Sequence, residues 1–209
     1  RFVLMSRRDG SVRSYDAEAF FAFHHVNAFE QNGDVFVDLA AFPDTRVIDA
    51  LYLDRLRSGG MAAAAAELRR YRLPANGSTA AYEPLSDETF EMPRINYGRC
   101  NCKDYRFAYG FSNRRDLPTE LPNQLIKIDV RERRAFTWFA DGCYPGEPVF
   151  VPAPGTLAED GGVVLSVVLD ALKGNSFLLV LDACSFTELA RADVPHHIPF
   201  GFHGQYFPD

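Results

Sequence analysis

Leu125-Ile126-Lys127-Ile128-Asp129-Val130 is echoed further along the chain by Leu178-Leu179-Val180-Leu181-Asp182-Ala183. Each is a short apolar run that ends in Asp and is followed by a turn and a further run, the mark of a strand-turn-strand unit. The rhythm fills the second half of the 209-residue chain. Strands are expected at 105–111, 124–130, 135–140, 149–152, 162–169, 176–182 and 188–194, with Asn113-Arg114, Asp141-Gly142, Gly161-Gly162 and Gly174-Asn175 among the turns. Short, evenly spaced strands with few helices mean an all-β sandwich, barrel or propeller. The repeated unit favours the blades of a β-propeller over a closed barrel.

The front of the chain is less regular. Arg1-Phe2-Val3-Leu4-Met5-Ser6 is apolar enough for a strand and is closed by Arg7-Arg8-Asp9-Gly10. Phe20 to Glu30, Gln31-Asn32-Gly33-Asp34 and Val35 to Leu39 read as strand, turn and strand. From Asp49 to about Arg72, residues 49–72, the composition turns helical: Leu51, Leu53, Leu56, the alanine run Ala62 to Ala66, Leu68 and Arg69-Arg70, broken at Gly59-Gly60. Two short helices inserted on the surface of the sheets are expected there. A polar stretch after Pro74 reads as a loop, and Phe90 to Tyr97 as a further apolar segment.

His24 and His25 lie among the phenylalanines of Phe20-Phe21-Ala22-Phe23-His24-His25-Val26-Asn27-Ala28-Phe29, and His203 lies in Gly201-Phe202-His203-Gly204. An imidazole in apolar surroundings is disfavoured as a cation. It is either a satisfied core side chain or a neutral metal ligand. Two such histidines in matching Phe-His contexts can converge on one metal, whereas His196-His197 follow Pro195 in an expected solvated loop. Glu91 and Glu147 each interrupt an apolar segment. A buried carboxylate needs a partner, so each either caps backbone amides beside its proline or holds the second ring nitrogen of a ligating imidazole.

Composition removes several functions. The formal charge of −6, from 22 Lys and Arg against 28 Asp and Glu, does not suit nucleic acid as a partner. Four scattered cysteines do not make a disulfide scaffold. They read as thiols of a reduced, cytoplasmic setting, with Leu51 to Ala66 as the one candidate for contact with a membrane surface. Cys100-Asn101-Cys102 lacks the second pair that a zinc knuckle needs. There is no nucleophile elbow, phosphate loop or dinucleotide fingerprint. The sequence starts at Arg1 rather than Met, as a piece of a longer protein would.

Four motifs carry a resemblance to a known family. Phe23-His24-His25-Val26-Asn27-Ala28-Phe29-Glu30, Phe90-Glu91-Met92-Pro93-Arg94-Ile95-Asn96-Tyr97, Gly146-Glu147-Pro148-Val149-Phe150-Val151-Pro152 with Glu159-Asp160-Gly161-Gly162, and Phe202-His203-Gly204 resemble the carotenoid cleavage oxygenases, in that family's order. The resemblance implies a seven-bladed β-propeller, of which this chain covers roughly the C-terminal half, with non-haem Fe(2+) held on the axis by four histidines. His24 matches the third iron ligand and His203 the fourth. Glu91 and Glu147 match carboxylates that hold ligand histidines, and Phe23 and Phe202 would line an apolar tunnel for a lipophilic polyene. The first two ligands would belong to blades before Arg1, so the chain as given would hold half a site and be inactive alone.

The implied reaction is cleavage of a conjugated double bond, with O2 as co-substrate, to aldehydes or ketones. Gly146 to Thr156 and the closing Gly-Phe-His-Gly look closest to the carotene-cleaving members. Relatives that isomerise retinoids or cleave stilbenes, and an inactive truncated product that binds lipid or a partner, are the competing readings.

Overall fold

A hairpin of β1 (Phe2–Met5) and β2 (Val12–Tyr15) leads into three antiparallel meanders. The first is β3 (His25–Gln31), β4 (Asp34–Ala41), β5 (Glu67–Leu73) and β6 (Ala81–Thr89), with the short helices α1 (Arg46–Ala50) and α2 (Leu53–Arg57) between β4 and β5. The second is β7 (Glu91–Arg94), β8 (Phe107–Ser112), β9 (Gln124–Asp129) and β10 (Arg134–Trp138), with α3 (Tyr97–Cys100) after β7. In the third, β11 (Cys143–Pro145) and β12 (Val149–Pro152) lie end to end along β13 (Gly162–Asp170), followed by β14 (Asn175–Asp182) and β15 (Glu188–Val194). Each meander is four strands wide, the build of a propeller blade. The computed structural model describes residues 1–58 and 65–207.

β9 shows why the blades stack. All six of its residues are buried. Ile126 and Ile128 pack with Val26, Phe29, Leu68 and Leu85 of the first blade, whereas Leu125 packs with Val164, Val168 and Phe177 of the third. Alternate side chains therefore serve opposite neighbours, which turns a period-two strand into the continuous apolar run seen in the sequence. The echoing strand β14 buries Phe177, Leu179 and Leu181 and leaves Leu178 and Val180 half-buried.

A polar latch crosses each junction. Between the first two blades, the Tyr105 hydroxyl donates to Asp38 Oδ2 at 2.7 Å, and Arg70 pairs with the same carboxylate. Asn27 donates to the carbonyls of Cys100 and Lys103 and accepts from Cys102 N. Between the second and third blades, Lys127 Nζ donates to Asp160 Oδ2 at 2.7 Å and to the carbonyls of Ala183 and Cys184, both at 2.8 Å. Beside it, Glu159 Oε1 accepts from Arg106 N and Phe107 N.

Three local expectations need correction. Helix over 49–72 holds only as far as α1 and α2, because Glu67–Leu73 is the inner strand β5. There Leu68, Tyr71 and Leu73 are buried, Arg70 pairs with Asp38 across the strand, and Arg69 lies 4.3 Å from the centre of the Tyr82 ring. Arginines that look like a helix face are cross-strand partners. Gly59-Gly60 and Ala62 to Ala64 lie outside the described residues. The stretch after Pro74 is not all loop: exposed side chains and Pro84, which an edge strand tolerates, conceal β6. The phenylalanine stretch becomes strand only at His25, since Phe21 makes a single bridge to Phe42. Asn32 and Gly33, with φ of 53° and 86°, form the expected tight turn.

Candidate metal centre

The strand that opens each blade carries one residue too many for its neighbour. In β3, His25 faces Leu39 and Asn27 faces the adjacent Asp38. In β7, Glu91 faces Phe111 and Arg94 faces Tyr109. In the third blade, Pro145 faces Val168 while Val149 faces Leu165. An extra residue changes which face the following side chains take, and such bulges re-aim side chains beside functional sites. His24 stands just before the first irregularity, Glu91 opens the second, and Glu147 lies within the third.

In β7 the irregularity includes Met92, at φ 50° in the left-handed region. Gly110, on the facing strand, makes room for it. A Cβ there would lie 2.7 Å from both the Glu91 carbonyl and the Phe90 ring. Gly110→Ala is therefore expected to displace Glu91 and weaken metal binding about tenfold, measured by metal titration; unchanged affinity would show that β7 yields without moving Glu91.

Glu91 Oε2 lies 2.6 Å from Nδ1 of His24, and Glu147 Oε1 lies 3.0 Å from Nδ1 of His203. Both carboxylates are largely buried. A carboxylate only accepts, so each Nδ1 carries the proton and each Nε2 of a neutral ring is left with a bare lone pair. Those two Nε2 atoms face each other at 3.3 Å, across rings nearly perpendicular at 81°. Two lone pairs so aimed repel unless a cation lies between them. Metal–imidazole bonds of about 2.0–2.1 Å place neighbouring ligand atoms about 3 Å apart, so the pair fits a metal ion. The hydrogen bond with Glu91 raises the His24 pKa above the usual imidazole value, against the lowering effect of burial.

The four residues expected to form the centre therefore come together. Phe23 lies beside His24, held edge-on against Phe21 and Phe42, while Phe202 is exposed in the tail next to His203. His24, His25 and His203 line an open basin of about 590 Å³, and His196 and His197 are exposed beyond β15. Among the described residues, no group of three or more His, Cys, Asp or Glu side chains is placed to hold a metal ion, and the two imidazoles stand as a pair. The sequence reading missed Arg94, which pairs with Glu147 Oε1 at 3.0 Å and donates to Gly204 O at 2.8 Å. Its signal lies in the sequence, since it stands three residues after Glu91 in Phe90-Glu91-Met92-Pro93-Arg94.

The chain matches the sequence profile of the RPE65 family, retinal pigment epithelial membrane protein, over residues 1–208. It belongs to the RPE65/carotenoid oxygenase family. It is 39% identical to a mitochondrial carotenoid-cleaving dioxygenase of Macaca fascicularis, covering 100% of this chain and 44% of the relative. It is likewise 39% identical to a chloroplastic carotenoid cleavage dioxygenase 8 homolog A of Oryza sativa subsp. japonica, covering 99% of this chain and 39% of the relative. Cobalt-substituted Synechocystis ACO superposes with a TM-score of 0.86 at 26% identity, covering 96% of this chain and 42% of that one. An ACO/RPE65 chimera gives 0.89 at 25% identity, covering 99% and 43%. The chain thus spans less than half the length of these family members, and its blades are those of a seven-bladed propeller.

Within the RPE65/carotenoid oxygenase family frame, Glu91→Gln keeps the shape of the side chain but weakens its grip on Nδ1. A loss of metal affinity of about 10- to 100-fold with unchanged thermal stability is expected, measured by metal titration and calorimetry. Unchanged affinity would reduce Glu91 to a cap on Met92 N, which it also accepts.

Proposed function

We propose that these blades hold part of a non-haem iron(II) centre that cleaves a conjugated double bond of a carotenoid or apocarotenoid. The observation that carries this reading is the pair of Nε2 atoms at 3.3 Å, each ring held at Nδ1 by its own carboxylate. His24 and His203 hold the ion, and further donors come from polypeptide outside the described residues. Iron(II), when bound, supplies the redox chemistry by which dioxygen adds across the double bond to leave two aldehyde or ketone fragments.

The chain's own side chains set the conditions for this. Glu91 and Glu147 fix the tautomer and direction of the two imidazoles. Neutral nitrogen donors leave out the charged carboxylate of the facial-triad oxygenases. Phe23 and Phe202 offer flat apolar surface to a rigid polyene, which has no charge to grip and is selected by shape. Ile48, Leu51, Tyr52 and Leu53 of the α1–α2 region are exposed; we read them as peripheral contact with the intracellular membrane that holds the substrate. No helix among the described residues is long and apolar enough to cross a membrane.

The test is to supply a carotenoid in micelles to the complete iron-loaded protein and to analyse the products. Two carbonyl fragments are expected. An unchanged carbon count would replace cleavage by isomerisation, and no turnover with iron bound would overturn both.

A further inference from the structure

We infer that Arg94 is a positioning residue, the strap that fixes the His203-bearing tail against the blades and makes β7 the common support of both imidazoles. The inference rests on the reading of His24 and His203 as metal ligands.

β7 has four residues, and its two ends do different work. Glu91 grips His24, whereas the Arg94 guanidinium holds Glu147 Oε1 at 3.0 Å, Gly204 O at 2.8 Å and Gln205 Oε1 at 3.2 Å. In a regular strand, positions three apart point to opposite faces. The extra residue in β7 removes that opposition: Glu91 and Arg94 pair with Phe111 and Tyr109, two residues apart on one face of β8. The bulge at Met92 thus brings the carboxylate and the guanidinium to the same side.

The tail depends on this anchor. Ile198 N donates to Ser176 Oγ, and from Pro199 to Phe207 the hydrogen bonds among the described residues run only through His203, Gly204 and Gln205. Glu147 Oε2 accepts from Gly204 N at 2.7 Å, so Glu147 and Arg94 take the two polar groups of one tail residue, its N–H and its C=O. The His203 side chain is 59% exposed, against 5% for Glu147 and 15% for Arg94. Packing alone does not hold that ring. Among the described residues, the arrangement also leaves Arg94 Nε and Glu91 Oε1 buried without partners, a condition that calls for an explanation where it occurs.

The test uses the complete protein, with Co(II) as the metal probe read by its visible bands, and limited proteolysis of the metal-free protein. Arg94→Met is expected to weaken Co(II) binding about 10- to 100-fold and to speed cleavage within 199–207, with the remaining blades still protected. Arg94→Lys keeps a cation beside Glu147 and is expected to recover most of the Co(II) affinity while the tail stays more readily cut. If Arg94→Met binds Co(II) like the parent and its tail is cleaved no faster, the strap is refuted. If Arg94→Met does not fold, the same two readouts on Arg94→Lys decide. If the parent itself binds no Co(II), the ligand reading fails, and the cleavage rates alone decide whether Arg94 holds the tail.

Discussion

Replacing His24 or His203 by alanine is expected to lower iron affinity by well over 100-fold and to abolish turnover in the complete protein. Loss of a carboxylate behind a ligand costs about 10- to 100-fold; loss of the ligand must exceed that, because the ion forfeits a bond and the remaining Nε2 loses its counterpart at 3.3 Å. The two variants are expected to differ in the metal-free state. His24 is half-buried and tied to Glu91, so His24→Ala leaves that carboxylate without its ring partner and lowers stability as well as affinity. His203 lies on the exposed tail, so His203→Ala leaves thermal stability nearly unchanged. Metal analysis with calorimetry reads both effects. Full iron retention in either variant would show that the ion is held elsewhere.

The second large effect concerns the junction of the second and third blades. Lys127 is 1% exposed, and its ammonium is satisfied by Asp160, by two carbonyls and by the face of the Phe107 ring at 4.1 Å. Lys127→Met preserves most of the volume but leaves Asp160 largely buried without its cation. Breaking one side of a buried pair destabilises by about 3–5 kcal/mol, which for a chain of this size is a fall in Tm on the order of 10 °C. Because the two groups share one interaction, adding Asp160→Asn to Lys127→Met is expected to cost less than the sum of the single changes. A Tm within about 2 °C of the parent for Lys127→Met would show that solvent reaches the pair and that the latch is dispensable.

The sequence was most legible where burial follows one simple rule. β8 to β10 and β12 to β15 stand out because each is bounded by turn residues, whereas the three-residue β11 carries no such signal, and β9 declares itself through Leu125, Ile126 and Ile128, which face two neighbours. Lys127 within that run was the visible sign of the latch, yet its partners Asp160, Ala183 and Cys184 belong to another blade and no local pattern names them. β5 was misread because Arg69, Arg70 and Arg72 follow an alanine run, while the groups that hold two of them in a sheet, Asp38 and Asp34, lie more than thirty residues earlier.

The site divides in the same way. His24, His203, Glu91 and Glu147 were legible as residue types in unusual surroundings and through the resemblance those motifs carry. Their pairing was not, because which carboxylate serves which ring depends on three bulges that arise from strand register. Arg94 escaped notice for that reason: without the extra residue at Met92 it would point away from Glu91.

The most direct measurement is X-ray absorption at the iron edge of the loaded complete protein, beside its His24→Ala variant. Imidazole scattering is expected, reduced by one imidazole in the variant, since Glu91 and Glu147 are each engaged by the Nδ1 of a ring whose Nε2 is left to bind the ion. A carboxylate oxygen bound to iron, or an imidazole count unchanged by His24→Ala, would contradict the assignment of His24 and His203 as the ligands these blades supply.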